Sequence, residues 1–409
     1  MNNQFTHPKE RIRFAILTFF FAQGLCMASW ASRIPDFKDV FAANYAFYWG
    51  LILFMIPVGK FVAIPLAGYL VSKLGSRSMV QVSILGYASS LLCIGLAHEV
   101  YLLGFLLFCF GVCWNLCDIS FNTQGIEVER IYGKTIMATF HGGWSLGACA
   151  GALIGFVMIL AGVSPIWHYT LIFIIILIIA LSGRKYLQES APQETEVSDT
   201  KTQERNAAKA PNGFRLLFQK PEMLLLQLGL VGLFALIVES AMFDWSGLYF
   251  ESVLQVPKSL QIGFLVFMVM MTVGRFLANW AYGRLGKQRV LQLAGAFIFI
   301  GFFVSALLGG VFDNMILKVV VNSLGFMLVG LGISCVVPTI YSLVGAKSHT
   351  PVGIALTILS SISFVGSLVA PVLIGAISKA FDLEYAYLVV GVLGLCLFLM
   401  TTYCKAFRE

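Results

Sequence analysis

The fold is decided by the stretch Trp114-Asn115-Leu116-Cys117-Asp118-Ile119-Ser120-Phe121-Asn122-Thr123-Gln124, which closes a long, mostly apolar run that begins near Val100. On an α-helix, Asn115, Asp118 and Asn122 stand at i, i+3 and i+7, so they share one face. A carboxylate between two amides is costly in an apolar segment unless that face meets water, and an ionisable residue at membrane depth is a candidate functional residue by default. The stretch therefore predicts a spanning helix with one polar face turned to a water-filled cavity.

The composition excludes a soluble protein. Of the 409 residues, 59% are hydrophobic and 11% are charged, whereas soluble domains carry about 25% charged residues. Apolar stretches of roughly 20 residues recur along the whole chain, which is typical of many spanning helices. The net charge of +7 does not indicate a nucleic-acid surface, because Lys and Arg lie in short polar gaps between apolar stretches. We predict an all-α membrane protein in a lipid bilayer, with no nucleic-acid partner.

Cysteine and histidine usage predicts neither disulfides nor a metal site. The nine cysteines lie almost entirely in apolar segments, where thiols behave as small hydrophobic groups, and they lack metal-ligand spacing. The five histidines are scattered without paired spacing. We therefore expect no metal and no cofactor. The first apolar run is too long for a signal-peptide core, and we take it as a retained helix.

Twelve apolar stretches are long enough to cross a bilayer. Six precede and six follow the hydrophilic segment 184–222, whose prolines and mixed charges are typical of a flexible linker. The prediction is a six-helix bundle at 1–183, a cytoplasmic linker at 184–222 and a second six-helix bundle at 223–409. The expected spans are 13–34, 46–72, 79–97, 100–123, 137–162, 165–183, 223–250, 259–282, 289–310, 316–344, 352–379 and 384–404.

The distribution of basic residues predicts the orientation. If the N-terminus is inside, 20 of the 27 Lys and Arg fall in cytoplasmic segments. The loops on the opposite side then hold Arg33, Lys38, Lys258, Lys318 and Lys379. Because positive charge stays inside, both termini and the linker are predicted to be cytoplasmic, in a bacterial inner membrane.

An internal repeat indicates that the two halves are related. Val58-Gly59-Lys60-Phe61-Val62-Ala63 in the second span matches Val273-Gly274-Arg275-Phe276-Leu277-Ala278 in the eighth, and a short basic turn follows each copy. Such weak symmetry is typical of a transporter built from two bundles, with its binding site between them.

The first basic turn carries a family resemblance. Gly68-x-x-x-Ser72-Lys73-Leu74-Gly75-Ser76-Arg77, together with the twelve-span plan, resembles the major facilitator superfamily over essentially the whole chain. The resemblance implies two pseudo-symmetric six-helix bundles and a gating role for Lys73 and Arg77. Ser72 replaces the usual Asp of this loop, which weakens the transfer of the family's gating ion pair to this chain.

Two further stretches are similar to the fucose-permease group of sugar–proton symporters. Asp118-x-x-x-Asn122 resembles the acid and following Asn of that group's helix 4, and Ala31-Ser32-Arg33-Ile34-Pro35-Asp36 lies where the group carries an acid late in helix 1. The resemblance implies that Asp118 and Asp36 couple protons or contact the solute. Trp30–Asp36 and His141–Gly147 also resemble poorly characterised bacterial relatives, which include membrane proteins linked to rhizopine, an inositol amine.

Charged residues inside the spans have functional and structural readings. Asp118 could carry a proton, hold a polar solute or pair permanently with a base such as Lys60. The resemblance places Glu239 of helix 7 opposite Asp118, although it could equally bond to a neighbouring helix. Lys60 and Arg275 could clamp an anionic solute or form structural ion pairs. Arg33, a candidate gating residue, could form only a solvated pair with Asp36 at the outer mouth, where Pro35 is expected to break helix 1.

Amides and aromatic rings complete the candidate solute site. We expect Asn115, the deepest residue of its helix face, to be the better candidate for touching the solute, with Asp118 below the midplane. Trp rings could stack on sugar faces or simply anchor the interface, and His141 could simply be solvated. The predicted solute-binding residues are Asn115, Asn122, Gln23, Trp30, Lys60, Trp144, His141, Arg275 and Trp245.

The start of helix 5 also offers a misleading motif. Gly143-Trp144-Ser145-Leu146-Gly147 formally matches the nucleophile elbow of hydrolases, but that motif needs a strand-to-helix turn. Here it continues into Gly151 and Gly155, and we interpret the glycines as a small-residue ladder for close helix packing. No nucleotide-binding P-loop occurs in the sequence, so we do not predict an enzyme.

The prediction is a monomeric secondary transporter that works by alternating access. Protons are the favoured coupling ion, and a sugar or polyol the favoured small-molecule solute. Transport of a sugar acid or other organic anion, proton-coupled efflux of an amphiphile, and a non-transporting membrane sensor are the alternatives.

Overall fold

The structure is a computed structural model that describes residues 8–41, 46–133, 136–188, 222–309, 311–350 and 352–407. Within these ranges all regular secondary structure is helical. The first half contains α1 (Lys9–Ala31), α2 (Ile34–Phe41), α3 (Ala46–Leu53), α4 (Met55–Leu74), α5 (Ser76–Ile94), α6 (Val100–Tyr132), α7 (Met137–Leu160), α8 (Pro165–Gly183) and a 3-10 turn (Arg184–Tyr186).

The second half repeats this plan. It contains α9 (Met223–Leu248) with a π-helical turn (Tyr249–Val253), a 3-10 turn (Lys258–Leu260), α10 (Gly263–Phe303) with a π-helical turn (Val304–Leu308), α11 (Met315–Ile333), α12 (Val336–Lys347), α13 (Val352–Ala380), α14 (Leu383–Tyr403) and a 3-10 turn (Lys405–Phe407).

The helices confirm the predicted all-α, multi-pass fold. By length and apolarity, eleven helices of the described ranges could span a membrane, and a shorter apolar helix, Tyr48–Ile64, lies at the second predicted span. The predicted span 316–344 is divided between α11 and α12. Conversely, α10 holds two predicted spans, because Gly286 (φ 78°, ψ 160°) turns the chain between them. Glycine suits this position because it has no Cβ to clash at positive φ.

Two helix ends differ from the sequence-based expectation. The break expected at Pro35 lies slightly earlier: α1 ends at Ala31, four residues before Pro35, because proline lacks the N–H that would bond to the Ala31 carbonyl. Pro35 itself lies in the first turn of α2, where its missing N–H costs no hydrogen bond. The helix that begins at Val100 continues to Tyr132 instead of ending near residue 123. Arg130 and Glu127 pair on this extension, and Gly133 ends it in the left-handed conformation (φ 62°).

Glycines bring α1 and α7 into backbone contact. A side chain on Gly147 would collide with the carbonyl oxygen of Phe21, and one on Gly151 with that of Leu25. Gly155 lies in the same way against Ser32. The predicted small-residue ladder is therefore confirmed, and α1 is fixed against α7 at the depth of the candidate site.

We call the end of the molecule where α8 ends and α9 begins the linker end, and the opposite one the far end. Most of the predicted linker, residues 189–221, lies outside the described residues. At its start, Gln124 Nε2 donates to Ser76 Oγ (2.7 Å) and to the Gln188 carbonyl (2.8 Å). At the linker end of the second half, Thr350 Oγ1 donates to Glu222 (2.6 Å). This bond, with further donors from residues 348–350, lowers the pKa of Glu222 below its usual value.

Candidate functional site

A cavity of about 160 Å³ lies between the two halves. The first half contributes α1, α3, α4, α6 and α7 to its wall, and the second half contributes α9 and α13. Its charged and aromatic lining residues are Lys60, Trp114, Trp144, Glu239, Phe243, Asp244 and Phe364. Polar groups at this depth are expensive unless they are paired or solvated, so the cavity is the candidate site.

Asp118 is the centre of a polar cluster beside this cavity. Gln23 Nε2 of α1 donates to Asp118 Oδ1 (2.6 Å), and Lys60 Nζ of α4 lies 3.5 Å from Asp118 Oδ2. Lys60 also lies 3.8 Å from the centroid of the Trp114 ring, a favourable cation–π geometry. Three helices thus meet at one carboxylate, and two residues of the opening stretch, Trp114 and Asp118, hold the same lysine.

The neighbouring amides do not point to a shared solute contact. Asn122 donates back to the Asp118 carbonyl of its own helix (2.7 Å). Asn115 has a buried side-chain oxygen with no hydrogen-bond donor among the described residues, and it does not line the cavity. The predicted polar face is therefore not turned to the cavity: none of its three residues lines it, and Gln23 and Lys60 contact Asp118 instead.

Arg275 connects the halves through α7. Its guanidinium donates to Ser145 Oγ and lies 5.4 Å from the centroid of the Trp144 ring. Thr272, one turn earlier on α10, donates to the Ser145 carbonyl (3.2 Å). His141, one turn before Ser145, is exposed and contacts the Phe20 ring edge-on. The repeat-related cations Lys60 and Arg275 therefore each contact a tryptophan and a side-chain oxygen atom.

The cavity wall on α9 carries two acids, Glu239 and Asp244. Neither Glu239 nor Asp244 has a hydrogen bond or an ion pair to a described residue. Asp244 is therefore an interior acid in addition to Asp118 and Glu239.

Ionic contacts join the halves at the far end. Arg33 of the first half pairs with Asp36 (2.8 Å), and Lys258 of the second half reaches the other oxygen of Asp36 (3.3 Å). Arg33 also donates to the Val163 carbonyl and to His168 Nδ1 (3.3 Å), and only 3% of its side chain is exposed. The sequence allowed Arg33 and Asp36 to form only a solvated pair, but the side chain of Arg33 is buried. Lys38 Nζ donates to Ser252 Oγ across the same interface (2.9 Å).

The remaining predicted residues lie away from the cavity. Trp30 is buried against Phe37, with 5.4 Å between ring centroids. Trp245 is buried on α9 and lines a second cavity at the far end, of about 330 Å³, together with Lys38, Asp382 and Glu384. At the linker end, Lys73 donates to Tyr69 of its own helix (3.1 Å), and Arg77 lies half-buried in the first turn of α5.

No group of three or more His, Cys, Asp or Glu residues is arranged to hold a metal ion in the described ranges. The nine cysteines, all within those ranges, are free.

Fold and site together define the class: a multi-pass integral membrane protein whose two helical halves enclose a charged cavity. A sequence model of the Major Facilitator Superfamily matches residues 19–351. The chain therefore belongs to the Major Facilitator Superfamily, a family of transporters and not of enzymes.

Two relatives match along most of the chain. An uncharacterised MFS-type transporter of Yersinia pestis is 27% identical over 374 residues, which are 90% of this chain and 89% of the relative. Membrane protein MosC of Rhizobium meliloti is 27% identical over 401 residues, which are 97% of this chain and 92% of that protein. These matches agree with the resemblance to poorly characterised bacterial proteins, and the names of the two relatives indicate no substrate.

Solved transporters share the fold. The structure is similar to a D-xylose–proton symporter, with a TM-score of 0.77 and 15% identity over 98% of both chains. It is also similar to the nucleoside transporter NupG, with a TM-score of 0.72 and 12% identity over 96% of this chain and 99% of that one. At these identities the likeness shows the major facilitator fold alone.

Sequence reasoning missed Asp244, Ser145 and Lys258. Asp244 precedes Trp245 near the end of a predicted span, and the available signal was a second acid, besides Glu239, within the span 223–250. Ser145 lies in the Gly143–Gly147 stretch, which was interpreted only as a helix-packing segment. Lys258 lies in a loop, where no sequence pattern indicates its partner in the other half.

Proposed function

We propose that this protein is a secondary transporter that takes up a small polar solute by alternating access, driven by a proton gradient. The observation that carries the proposal is the charged cavity between the halves. Burying acids and bases at membrane depth lowers stability, and a site reached alternately from the two sides gives these groups a use. The opposite charges of Asp118 and Lys60, Glu239 and Arg275 suit a solute with many hydroxyl groups.

A neutral sugar or polyol fits the cavity better than an organic anion. Lys60 is engaged by Asp118 and Trp114, and Arg275 by Ser145 and Trp144. An anion would have to displace these partners of Lys60 and Arg275. The hydroxyl groups of a polyol can instead form hydrogen bonds to the acids and bases while these contacts stay in place. Trp144 and Phe243, whose ring centroids lie 6.3 Å apart, offer apolar faces for a sugar ring.

The far-end ionic contacts indicate the conformation, and the distribution of basic residues indicates the orientation. The ionic contacts of Asp36 and Lys38 close the far end, so we assign this structure to a state closed there. With positive residues inside, the linker end is cytoplasmic, the membrane is a bacterial inner membrane, and the far end is external. Arg33 and Asp36 then belong to the external gate, while Lys73 and Arg77 lie near the internal one. We propose a monomer, since each chain contains both halves of the site.

Transport in proteoliposomes tests the proposal. We expect an inward proton gradient to accumulate a labelled neutral sugar or polyol, and a protonophore to abolish accumulation but not counterflow. Asp118→Asn should lower both accumulation and counterflow, because Lys60 loses its partner, whereas Asp313→Asn, at an exposed position, should change neither. Accumulation driven by sodium but not by protons would refute the coupling, and selective uptake of sugar acids would refute the neutral solute.

A further inference from the structure

Asp244 occupies a distinctive place in the cavity. It lies on α9 between Glu239, deeper in the wall, and Gly247, which contacts the Pro35 ring of the first half at the far end. It is therefore the cavity acid directly beneath the external closure. A carboxylate there meets the external solution first when the far end opens.

Two other acids near the transport path, Asp118 and Asp36, already have cations. Asp118 has Lys60 at 3.5 Å and the Gln23 amide at 2.6 Å. Asp36 lies between Arg33 (2.8 Å) and Lys258 (3.3 Å). Since an adjacent cation favours the ionised form of a carboxylate, Asp118 and Asp36 are compensated without a proton. Glu239, like Asp244, has no ion pair and no hydrogen bond to a described residue. Its position deeper in the cavity wall, farther from the external closure, separates it from Asp244.

Asp244 lacks such compensation. It has neither an ion pair nor a hydrogen bond among the described residues. Among the charged and titratable groups of the neighbouring elements, Lys60 of α4 pairs with Asp118, Arg275 of α10 donates to Ser145, and Tyr387 of α14 donates to the Ala241 carbonyl. On α2, Asp36 and Lys38 contact Lys258 and Ser252. Asp382 and Glu384, at the start of α14, line the far-end cavity with Trp245. Glu239 lies on α9 itself. From α13 the cavity receives only uncharged residues, among them Phe364 and Ser367.

We propose that Asp244 is the residue that binds the coupling proton. The inference rests on the proposed function. A proton is the smallest group that neutralises an isolated carboxylate, and an uncharged Asp244 can be enclosed with the solute when the far end closes, without an unpaired charge at membrane depth. Opening at the linker end admits water, and the proton leaves for the cytoplasm. Asp118 then serves to hold Lys60 and α4 rather than to carry the proton.

Infrared difference spectroscopy tests this assignment without a known solute. Purified protein in lipid is titrated with acid and base while the carbonyl stretch of protonated carboxylic acids is recorded. A carboxylic acid in a protein cavity, with few hydrogen-bond partners, absorbs at higher frequency than a fully solvated one, which separates Asp244 from surface acids. We expect one high-frequency band that titrates, moves with carboxyl-¹³C aspartate and not with ¹³C glutamate, disappears in Asp244→Asn, and stays in Asp118→Asn and Asp313→Asn.

The isotope labels and a second variant keep the test independent of folding defects. Asp244→Glu should restore a titrating band that now moves with ¹³C glutamate. A wild-type band that moves with ¹³C glutamate, or a band that persists in Asp244→Asn, overturns the assignment to Asp244 but leaves proton coupling intact. Absence of any titrating high-frequency band, together with sodium-driven accumulation, overturns the proposed function itself.

Discussion

At the residue scale, the contact between Lys60 and Asp118 is expected to make a measurable contribution to stability. The side chains are 20% and 35% exposed, so the pair is shielded more than a surface salt bridge but less than a buried one. We expect Lys60→Met and Asp118→Asn each to lower the free energy of unfolding by about 1–2 kcal/mol, because each leaves one charge uncompensated. Thermal unfolding in detergent measures the loss.

The double variant separates pairing from other effects. Lys60→Met with Asp118→Asn removes both charges, so it should be less destabilised than the sum of the two single variants. Strict additivity of the single effects would show that the two side chains do not stabilise each other. Gln23→Leu is a useful companion variant, because it removes the other partner of Asp118 without changing charge.

Sequence reasoning reached the acids more readily than their partners. The helical spacing predicted a polar face of Asn115, Asp118 and Asn122 turned to a cavity, and Lys60 was named as a possible partner of Asp118; the pair with Lys60 is present, but none of the three residues lines the cavity. What the spacing cannot give is the rotation of other helices, which brings Gln23 to Asp118 and leaves Asn115 outside the cavity. The sequence also does not show that Asp244 and its neighbour Trp245 line two different cavities, so Asp244 was missed.

At the element scale, the contact between α1 and α7 predicts a sharp difference between two glycines. A methyl group on Gly147 would meet the backbone carbonyl of Phe21, which cannot move without shifting the whole of α1. Gly283 of α10 has open space where its methyl group would point. We expect Gly147→Ala to destabilise by about 1–3 kcal/mol, as overpacking does, and Gly283→Ala to be neutral or slightly stabilising because alanine favours helix.

Thermal unfolding of both variants decides this. Equal melting temperatures for Gly147→Ala and Gly283→Ala would contradict the close packing of α1 on α7.

The glycine ladder was predicted from sequence because small residues at spacing four form one helix face. Helix ends were predicted less well: the apolar pattern stops near residue 123, but the polar extension to Tyr132 is stabilised by local pairing and a glycine end, which hydropathy does not register.

At the scale of the whole molecule, the far-end contacts predict a shift in conformation rather than in folding. Lys258 is 60% exposed, and an exposed pair contributes about 0.2–1 kcal/mol. It therefore biases the closed state without locking it. Lys258→Glu replaces attraction to Asp36 with repulsion, and we expect it to raise the ratio of far-end-open to far-end-closed molecules by several fold.

Spin labels at Tyr101 and Val311 can report this ratio. The two positions are highly exposed (87% and 68%) and lie at the far end of different halves, so their separation grows when that end opens. The native cysteines are first replaced to give single labelling sites. Lys318→Glu, at the far end of α11 but without a described contact to the first half, is the matched control and should leave the distance distribution unchanged.

Ionic strength supplies the decisive comparison. Added salt screens exposed charges over about 10 Å at 0.1 M and 3 Å at 1 M, so the difference between Lys258→Glu and the native chain should shrink as salt rises. A difference that persists at high salt would mean that the substituted side chain acts by steric disruption. A distribution equally shifted by Lys318→Glu would mean that net charge at the far end, and not the contact with Asp36, sets the closed state.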